Sequence, residues 1–592
     1  MVSQFLQDFR NLAFPYWRSG EKWKARVLLG AIIAMNLGMV YVQVLVNEWI
    51  REFYNVLQSL DKSRFAAEIL RFCLLASAYI AQAVYMLYLS QMLQIRWRKW
   101  LTDKYLRDWL THRAYYRINF AATMTDNPDQ RISEDVNSYI EMAINLGTNL
   151  LSSVATLVAF LGILWQLSGT LVIPFGAQAT IKLPGYMVWA ALFYSIAGTW
   201  LTMRIGNPLI LLNFNQQRFE ADFRFGMVRV RENSESIALY GGEKQEQTYL
   251  RDRFNILMDN FWKIMRRQKR LSWLTNTYGQ AAVVFPVLMA APRFFAGEMD
   301  LGGLMQTVGA FAAVQGALSY LVNSYTTIAK WQAVIDRLAG FSRIMDMLRS
   351  SEFIQGTERA RTSGKAIGID SLSVFLPNGK ELIRDLKLNI APGTHLLITG
   401  PSGCGKSTLI RALAGIWPFC KGTISLPDSS SIMFLPQKPY LPLGTLRNAL
   451  CYPHTDGYRR EDLEEVLEKC GLGDLASSLE KDEDWSHVLS SGEQQRIAFS
   501  RVLLVKPDFI FLDEATASLD EKSEAALYEL LQSSLPHSAV TSIGHRSTLL
   551  AWHSEKLRFE GDATLVKFAL GEDKAQRTSS RSLKRCDGAE LV

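Results

Sequence analysis

Six times between Val27 and Ala329 the chain runs for about 20 residues without a charged side chain, a pattern few folds accommodate. The stretches lie from Val27 to Val46, Phe72 to Ile95, within Met142 to Ile173, Leu183 to Met203, Leu271 to Pro292 and within Leu301 to Ala329. Arg26, Arg71 with Arg96, Glu141, Arg204, Arg293 and Lys330 bound them. A helix needs about 20 apolar residues to cross a hydrocarbon core, and a soluble helix of that length carries charge on its solvent face. Residues 1–350 are therefore expected to form a membrane α-helical domain with six spans. The mean hydropathy of +0.03 conceals this because polar segments dilute the spans.

Lys and Arg placement orients the spans. The loop from Arg96 to Glu141 holds eight basic residues and that from Arg204 to Arg270 thirteen, while the segments before Leu183 and Leu301 hold one each. This predicts cytoplasmic long loops and a cytoplasmic N-terminus, the latter with five basic residues from Arg10 to Arg26. No cleavable signal peptide is expected, since the first apolar run follows the aromatic and basic stretch Phe14 to Lys24, which suits an amphipathic elbow helix at the membrane surface. The net charge of +7 is mostly accounted for by these loops and a basic tail, so no nucleic-acid partner is expected. Six cysteines without paired spacing (73, 404, 420, 451, 470 and 586) argue against a disulfide framework or a zinc site.

The C-terminal part has a different chemistry. Gly400, Pro401, Ser402, Gly403, Cys404, Gly405, Lys406, Ser407 and Thr408 follow the apolar run Leu396 to Thr399 and form a P-loop. Its backbone N–H groups point at phosphates, Lys406 reaches the β- and γ-phosphates, and Ser407 ligates Mg²⁺ at a helix N-terminus. ATP and Mg²⁺ are the expected cofactors. A second apolar strand, Phe509 to Leu512, ends in Asp513 and Glu514. Asp513 is expected to hold Mg²⁺, and Glu514 to orient and deprotonate the attacking water. Together these predict an α/β P-loop ATPase domain over residues 367–570, joined through a polar linker at 351–366 and followed by a charged, Ser-rich tail at 571–592 expected to be disordered.

Leu489-Ser-Ser-Gly-Glu-Gln-Gln-Arg496 resembles the signature motif of the ABC ATPases, with Ser491 and Glu493 where Gly and Gln are usual. The resemblance implies that Ser490 and Gly492 face the γ-phosphate. It also implies that Gln437 senses Mg²⁺ and couples to the membrane domain, that His545 contacts the γ-phosphate, and that Phe375 stacks on adenine. Asn47 to Gln58, Asn127 to Asp135, Arg231 to Glu243 and the P-loop with Gly415-Ile-Trp-Pro418 further resemble the subfamily D half-transporters of peroxisomes and the bacterial SbmA/BacA-like transporters fused to an ATPase (YddA type). That resemblance places Asn127 to Asp135 near a first coupling helix and Glu232 to Glu243 near a second, in an exporter-like fold.

One P-loop and one signature in one chain imply a dimer, most simply of two identical copies, because in this family each nucleotide is sandwiched between the P-loop of one subunit and the signature of the other. The expected function is ATP-driven transport. A soluble ABC ATPase is opposed by the spans, and a nucleotide-gated regulator by the intact Asp513, Glu514 and His545. By resemblance the cargo is a peptide, another hydrophilic compound such as a corrinoid, or a fatty acid or acyl-CoA ester, and the location a bacterial inner membrane. Glu48 and Glu52, four apart, share one helix face and either line a polar cavity or are solvated acids at a helix end.

Overall fold

The computed structural model describes residues 2–120, 127–175, 179–349, 357–454, 457–560 and 563–569. They fall into two compact units, one of residues 1–108 and 126–343, the other of residues 109–125 and 344–592.

The first unit is built from long helices: α1 (Val2–Arg18), α2 (Lys22–Ser59), α3 (Lys62–Leu110), α4 (Val136–Ser168), α5 (Tyr186–Glu232), α6 (Ser234–Tyr240), α7 (Glu243–Phe295), α8 (Leu301–Leu318) and α9 (Tyr325–Arg349). In lipid every backbone polar group needs an internal partner, which a helix supplies. Helix starts are marked by short polar side chains. Asp61 accepts from the backbone N–H groups of Ser63 and Arg64, and Asp300 accepts from Gly303 at 2.7 Å, each satisfying otherwise orphaned donors. Among the described residues α2, α3, α8 and the helical run Pro128–Ser168 are long and apolar enough to cross a membrane by composition. The fourth and fifth apolar stretches fall on α5 and α7, which carry them into polar extensions.

Within two of the stretches read from the sequence the structure narrows the span. The third helix ends at Ser168: Gly169 turns the chain at φ +63°, and Thr170–Phe175 (β1) pairs antiparallel with Ala179–Pro184 (β2). An apolar run rich in β-branched residues reads equally as strand or buried helix, and the glycine turn decides for strand. The sixth loses helical regularity at Ser319 and Ser324. The stretch Phe14 to Lys24, expected as one elbow helix, spans the end of α1, a turn at residues 19–21 and the start of α2; Tyr16 of α1 is fully buried and stacks on Trp97 of α3 at 5.4 Å.

The second unit carries the P-loop fold. The strands of its two larger sheets are β3 (Thr357–Thr362), β4 (Ile367–Phe375), β5 (Glu381–Ile390), β6 (His395–Thr399), β7 (Cys420–Pro427), β8 (Ile432–Leu435), β9 (Phe509–Asp513), β10 (Ala539–Ile543), β11 (Glu555–Glu560) and β12 (Thr564–Ala569). One sheet has the order β12-β11-β6-β10-β9-β8, parallel except at β12; the other is β3-β7-β4-β5. The central strands are apolar on both faces, as buried parallel strands must be. Leu396, Ile398, Phe509 and Phe511 enter one core, and Leu397, Ile510 and Leu512 the other. Strand β3 lies inside the stretch read as a linker and pairs with β7; its alternating Thr, Glu, Arg and Ala look like solvated coil until a partner strand is present. Residues 350–356 and the tail at 571–592 lie outside the described residues.

Candidate functional site

The site forms where β6, β8, β9 and β10 end, since parallel strands deliver every following loop to the same edge of the sheet. The P-loop leaves β6 and enters α10 (Lys406–Leu413). Gly403 and Gly405 sit at φ +78° and +108°, conformations that side chains rarely adopt. A Cβ on Gly400 would lie 2.7 Å from Phe559 Cβ, so the loop packs there only as glycine. Lys406 Nζ donates to the carbonyls of Gly400 and Pro401 at 3.0 and 2.8 Å, lying along the cradle.

Ser407 Oγ donates to Asp513 Oδ1 at 2.9 Å, joining the first residues of α10 to the end of β9. Burial pushes the Asp513 carboxyl above its usual range; the Ser407 hydroxyl opposes the shift and Glu514 adds to it. Glu514 stands at φ +49°, its N–H bonded to Ile543 O at 3.2 Å. Its Oε2 accepts from Gln437 Nε2 at 3.0 Å, and its Oε1 lies 3.3 Å from His545 Nε2. Five residues named from the sequence thus form two adjoining groups, Ser407 with Asp513 and Gln437 with Glu514 and His545. Ser407 and Asp513 present hard oxygen donors side by side, the set that suits Mg²⁺.

Ser490 and Gly492 open α11 (Ser491–Val505). Ser490 caps the helix, its Oγ accepting from Glu493 N at 3.3 Å and its N–H donating to Glu493 Oε2 at 2.9 Å. Glu493, a departure from the usual signature, closes this capping box. A Cβ on Gly492 would press on Leu519 at 3.2 Å. Neither Ser490 nor Gly492 bonds to the Ser407 and Glu514 groups among the described residues. Half-buried Phe375 ends β4; its carbonyl accepts from the Trp417 indole at 2.8 Å, and Lys421 Nζ lies 5.8 Å over its ring.

Gln495 escaped the sequence reading. It is 2 % exposed, donates through Nε2 to Gln437 O at 3.2 Å and accepts at Oε1 from Ser518 N at 3.0 Å. It therefore ties the Gln437 loop to the Ser518-Leu-Asp520 turn behind Glu514. Its position inside the signature was the only sequence signal.

In the first unit, a cavity of about 1160 Å³ lies between the Gln130–Met142 region, α5 and α9. Glu134, Asp135, Glu141 and Glu220 border it with Arg224, Lys330 and Arg337, amid Met142, Leu211, Phe214 and Val334. Asp135 is paired with Arg131 and with Arg337, the latter at 2.7 and 2.9 Å. Glu48 and Glu52 do not border this cavity; Glu48 is exposed and Glu52 lies 3.8 Å from Arg64. Of the two segments expected to lie near coupling helices, Asn127–Asp135 is helical with Arg131, Ile132 and Asp135 buried, whereas residues 109–120, ahead of it in the chain, belong to the ATPase unit. Arg231 to Glu243 contains α6, with Leu239 80 % and Tyr240 89 % exposed.

Two family models match: ABC transporter transmembrane region 2 over residues 11–295 and ABC transporter over residues 383–517. Inner membrane ABC transporter ATP-binding protein YddA of Escherichia coli is 34 % identical, with 92 % of this chain and 96 % of that protein covered. The chain belongs to the ABC transporter family. This transporter is also 28 % identical to the lysosomal cobalamin transporter ABCD4 of Homo sapiens, with 94 % and 95 % covered. A bacterial Atm1-family ABC exporter solved with ATP bound shares its fold at a TM-score of 0.72 and 19 % identity, with 96 % and 99 % covered. The chain is thus a multi-pass membrane protein of exporter-like fold, whose ATPase domain hydrolyses ATP to drive transport.

Proposed function

We propose that this ABC transporter works as a homodimer in a bacterial inner membrane, with its N-terminus and ATPase in the cytoplasm, moving a hydrophilic cargo of mixed charge such as a peptide or corrinoid. The observation that carries the catalytic part is the convergence of Ser407 with Asp513 and of Gln437 with Glu514 and His545 at the ends of adjacent strands.

In this reading the P-loop from Gly400 to Thr408 wraps the phosphates and Phe375 stacks on adenine. Lys406 turns from the loop carbonyls to the β- and γ-phosphates. Ser407, Asp513 and Gln437 hold Mg²⁺, which when bound offsets phosphate charge as the terminal bond breaks. Glu514, steadied by Gln437, orients water on the γ-phosphate and takes its proton. His545 contacts the departing phosphate. Ser490 and Gly492 of a second copy cover the nucleotide, which accounts for a single chain leaving them unbonded to the cluster. Closure around ATP then shifts the membrane helices between two states.

The cavity supports the cargo class. Its four acids and three bases, with Asp135 already paired to Arg131 and Arg337, lie amid apolar side chains, and this mixed lining suits an amphipathic zwitterion. A relative named for cobalamin fits the same class. The test is ATPase activity of the purified protein in lipid vesicles against peptides, corrinoids and acyl-CoA esters, with Glu514→Gln as the blank. Stimulation by a peptide or corrinoid supports the reading, and stimulation by acyl-CoA alone overturns the cargo class.

A further inference from the structure

Gly415-Ile-Trp-Pro418 follows the P-loop helix directly, and nothing in the hydrolytic cluster uses it. Its surroundings are unusual. The segment that follows α3 continues as short helical turns at Thr111–Arg113, Ala114–Arg117 and Ile118–Phe120. These turns pack within the ATPase unit, with Ala114 and Ile118 buried.

Two contacts join the segment to the nucleotide site. At the first, Arg113 Nη1 donates to Ala414 O at 2.8 Å, while Arg359 donates to Leu413 O. Both carbonyls belong to the C-terminal end of α10, the helix whose first residues are Lys406 and Ser407. Two guanidinium groups therefore sit on orphan carbonyls at the negative end of the P-loop helix. Gly415 is at φ +70°, and a Cβ there would overlap Arg359 Nη1, so glycine admits the second arginine. Arg113 itself holds φ +59°, a conformation that a non-glycine residue keeps only when its surroundings enforce it.

At the second contact, the Phe120 ring meets Trp417 edge-on at 5.0 Å and Phe419 at 6.0 Å. Trp417 Nε1 donates to Phe375 O at 2.8 Å, and Phe375 N donates to Phe419 O at 2.8 Å. The two residues that receive Phe120 thus hold the backbone of Phe375 in place, Trp417 through its indole and Phe419 through its backbone carbonyl.

We propose that Arg113 and Trp417 are positioning residues for ATP: the segment after α3 sets nucleotide affinity by holding the far end of the P-loop helix and the backbone of Phe375. The inference rests on reading the P-loop and Phe375 as the ATP site. It goes beyond that reading by giving Gly415 to Pro418 a role, and it makes residues 111–120 a sensor of nucleotide, since coupling between two sites is reciprocal. Arg113 and Trp417 lie behind the P-loop helix and Phe375, away from the hydrolytic residues, so their loss acts on KM and leaves kcat in place.

The full-length protein in lipid vesicles provides the test. Arg113→Ala and Trp417→Phe, the latter keeping a ring for Phe120 but losing the indole N–H, are each expected to raise KM for ATP about 3- to 10-fold with kcat within about twofold of the parent. Arg113→Lys restores part of the loss. Unchanged KM, or a fall in kcat alone, overturns the proposal. Hydrogen exchange at amides 111–120 provides a second measure on the unsubstituted protein: ATP slows it there and does not in Lys406→Ala, and exchange indifferent to ATP overturns the proposal. Lys406→Ala also separates the two layers. If it binds a fluorescent ATP analogue as tightly as the parent, the site assignment fails; if it loses binding while Arg113→Ala and Trp417→Phe keep their KM, only the positioning role fails.

Discussion

Replacing Gln495 by Glu changes one atom type at the centre of the site and should make the transporter's hydrolysis depend on pH in a new way. Gln495 is 2 % exposed and uses both ends of its amide, donating to Gln437 O and accepting from Ser518 N. Glu keeps the shape and the acceptor for Ser518. Ionised, it loses the donor and sets a buried carboxylate oxygen against the Gln437 carbonyl. Leaving the buried Gln437 carbonyl without its donor costs ~1–3 kcal/mol, and the carboxylate oxygen set against it places the total toward the upper end, at about 2–3 kcal/mol. Protonated, the carboxyl O–H donates to Gln437 O and restores the pattern. At about 1.4 kcal/mol per pH unit, this penalty raises the folded-state pKa of the new carboxyl to ~6 from the ordinary 4.3. The sign follows from linkage. Below ~4.3 both folded and unfolded forms are protonated and the variant is as stable as its parent; as pH rises to ~6 stability falls, and above that it stays 2–3 kcal/mol lower. Because the P-loop is untouched, KM for ATP holds while kcat drops. The assay is ATPase activity in vesicles from pH 5.5 to 8, expressed as a ratio to the parent, with Gln495→Met as a variant lacking both bonds at every pH. The ratio for Gln495→Glu should climb on acidification while that for Gln495→Met stays low. A flat ratio for Gln495→Glu would refute the bridging role.

Glu514→Gln keeps an acceptor for Gln437 but no base, so kcat should fall about 10²–10⁴-fold with ATP binding retained; phosphate release within threefold of the parent would count against Glu514. Asp513→Asn removes a carboxylate whose ionisation burial opposes, so at pH 7–8 without nucleotide its melting temperature should equal or exceed the parent's while hydrolysis is lost; a clear drop in melting temperature would contradict this account. His553 is buried, with Nδ1 2.7 Å from Leu549 O and Nε2 2.9 Å from Ser542 Oγ, and burial holds its pKa down at about 4. The unfolded chain takes up a proton near pH 6.5 that the folded one refuses until about 4. Stability from this group is therefore complete above pH 6.5 and falls by ~3 kcal/mol as pH drops to 4. A denaturation midpoint unmoved by pH between 6.5 and 4.5 would exclude it.

Sequence alone determined what local chemistry dictates. Hydrocarbon thickness makes the apolar stretches legible as spans, and a phosphate cradle needs glycines, a lysine and a serine in fixed order after a strand, so the region from Leu396 to Thr408 declares itself. The run from Phe509 to Glu514 does the same, because a strand buried on both faces must be apolar until its exposed end. Local pattern fails where two readings share one composition. Thr170 to Ile173 continues the apolarity of the third span, and only Gly169 and the pairing with Ala179–Pro184 make it a strand. The strand Thr357–Thr362 is polar and becomes a strand only beside β7. Tertiary structure decided everything that depends on residues far apart in sequence. Gln437, Glu514 and His545 meet because parallel strands release their loops at one edge. Gln495, a residue type most often solvated on helices, is buried only because residues 437 and 518 converge on it. Arg113 lies 301 residues before the carbonyl it holds, and no pattern of charge or hydropathy near either position records that contact, since it arises from packing alone.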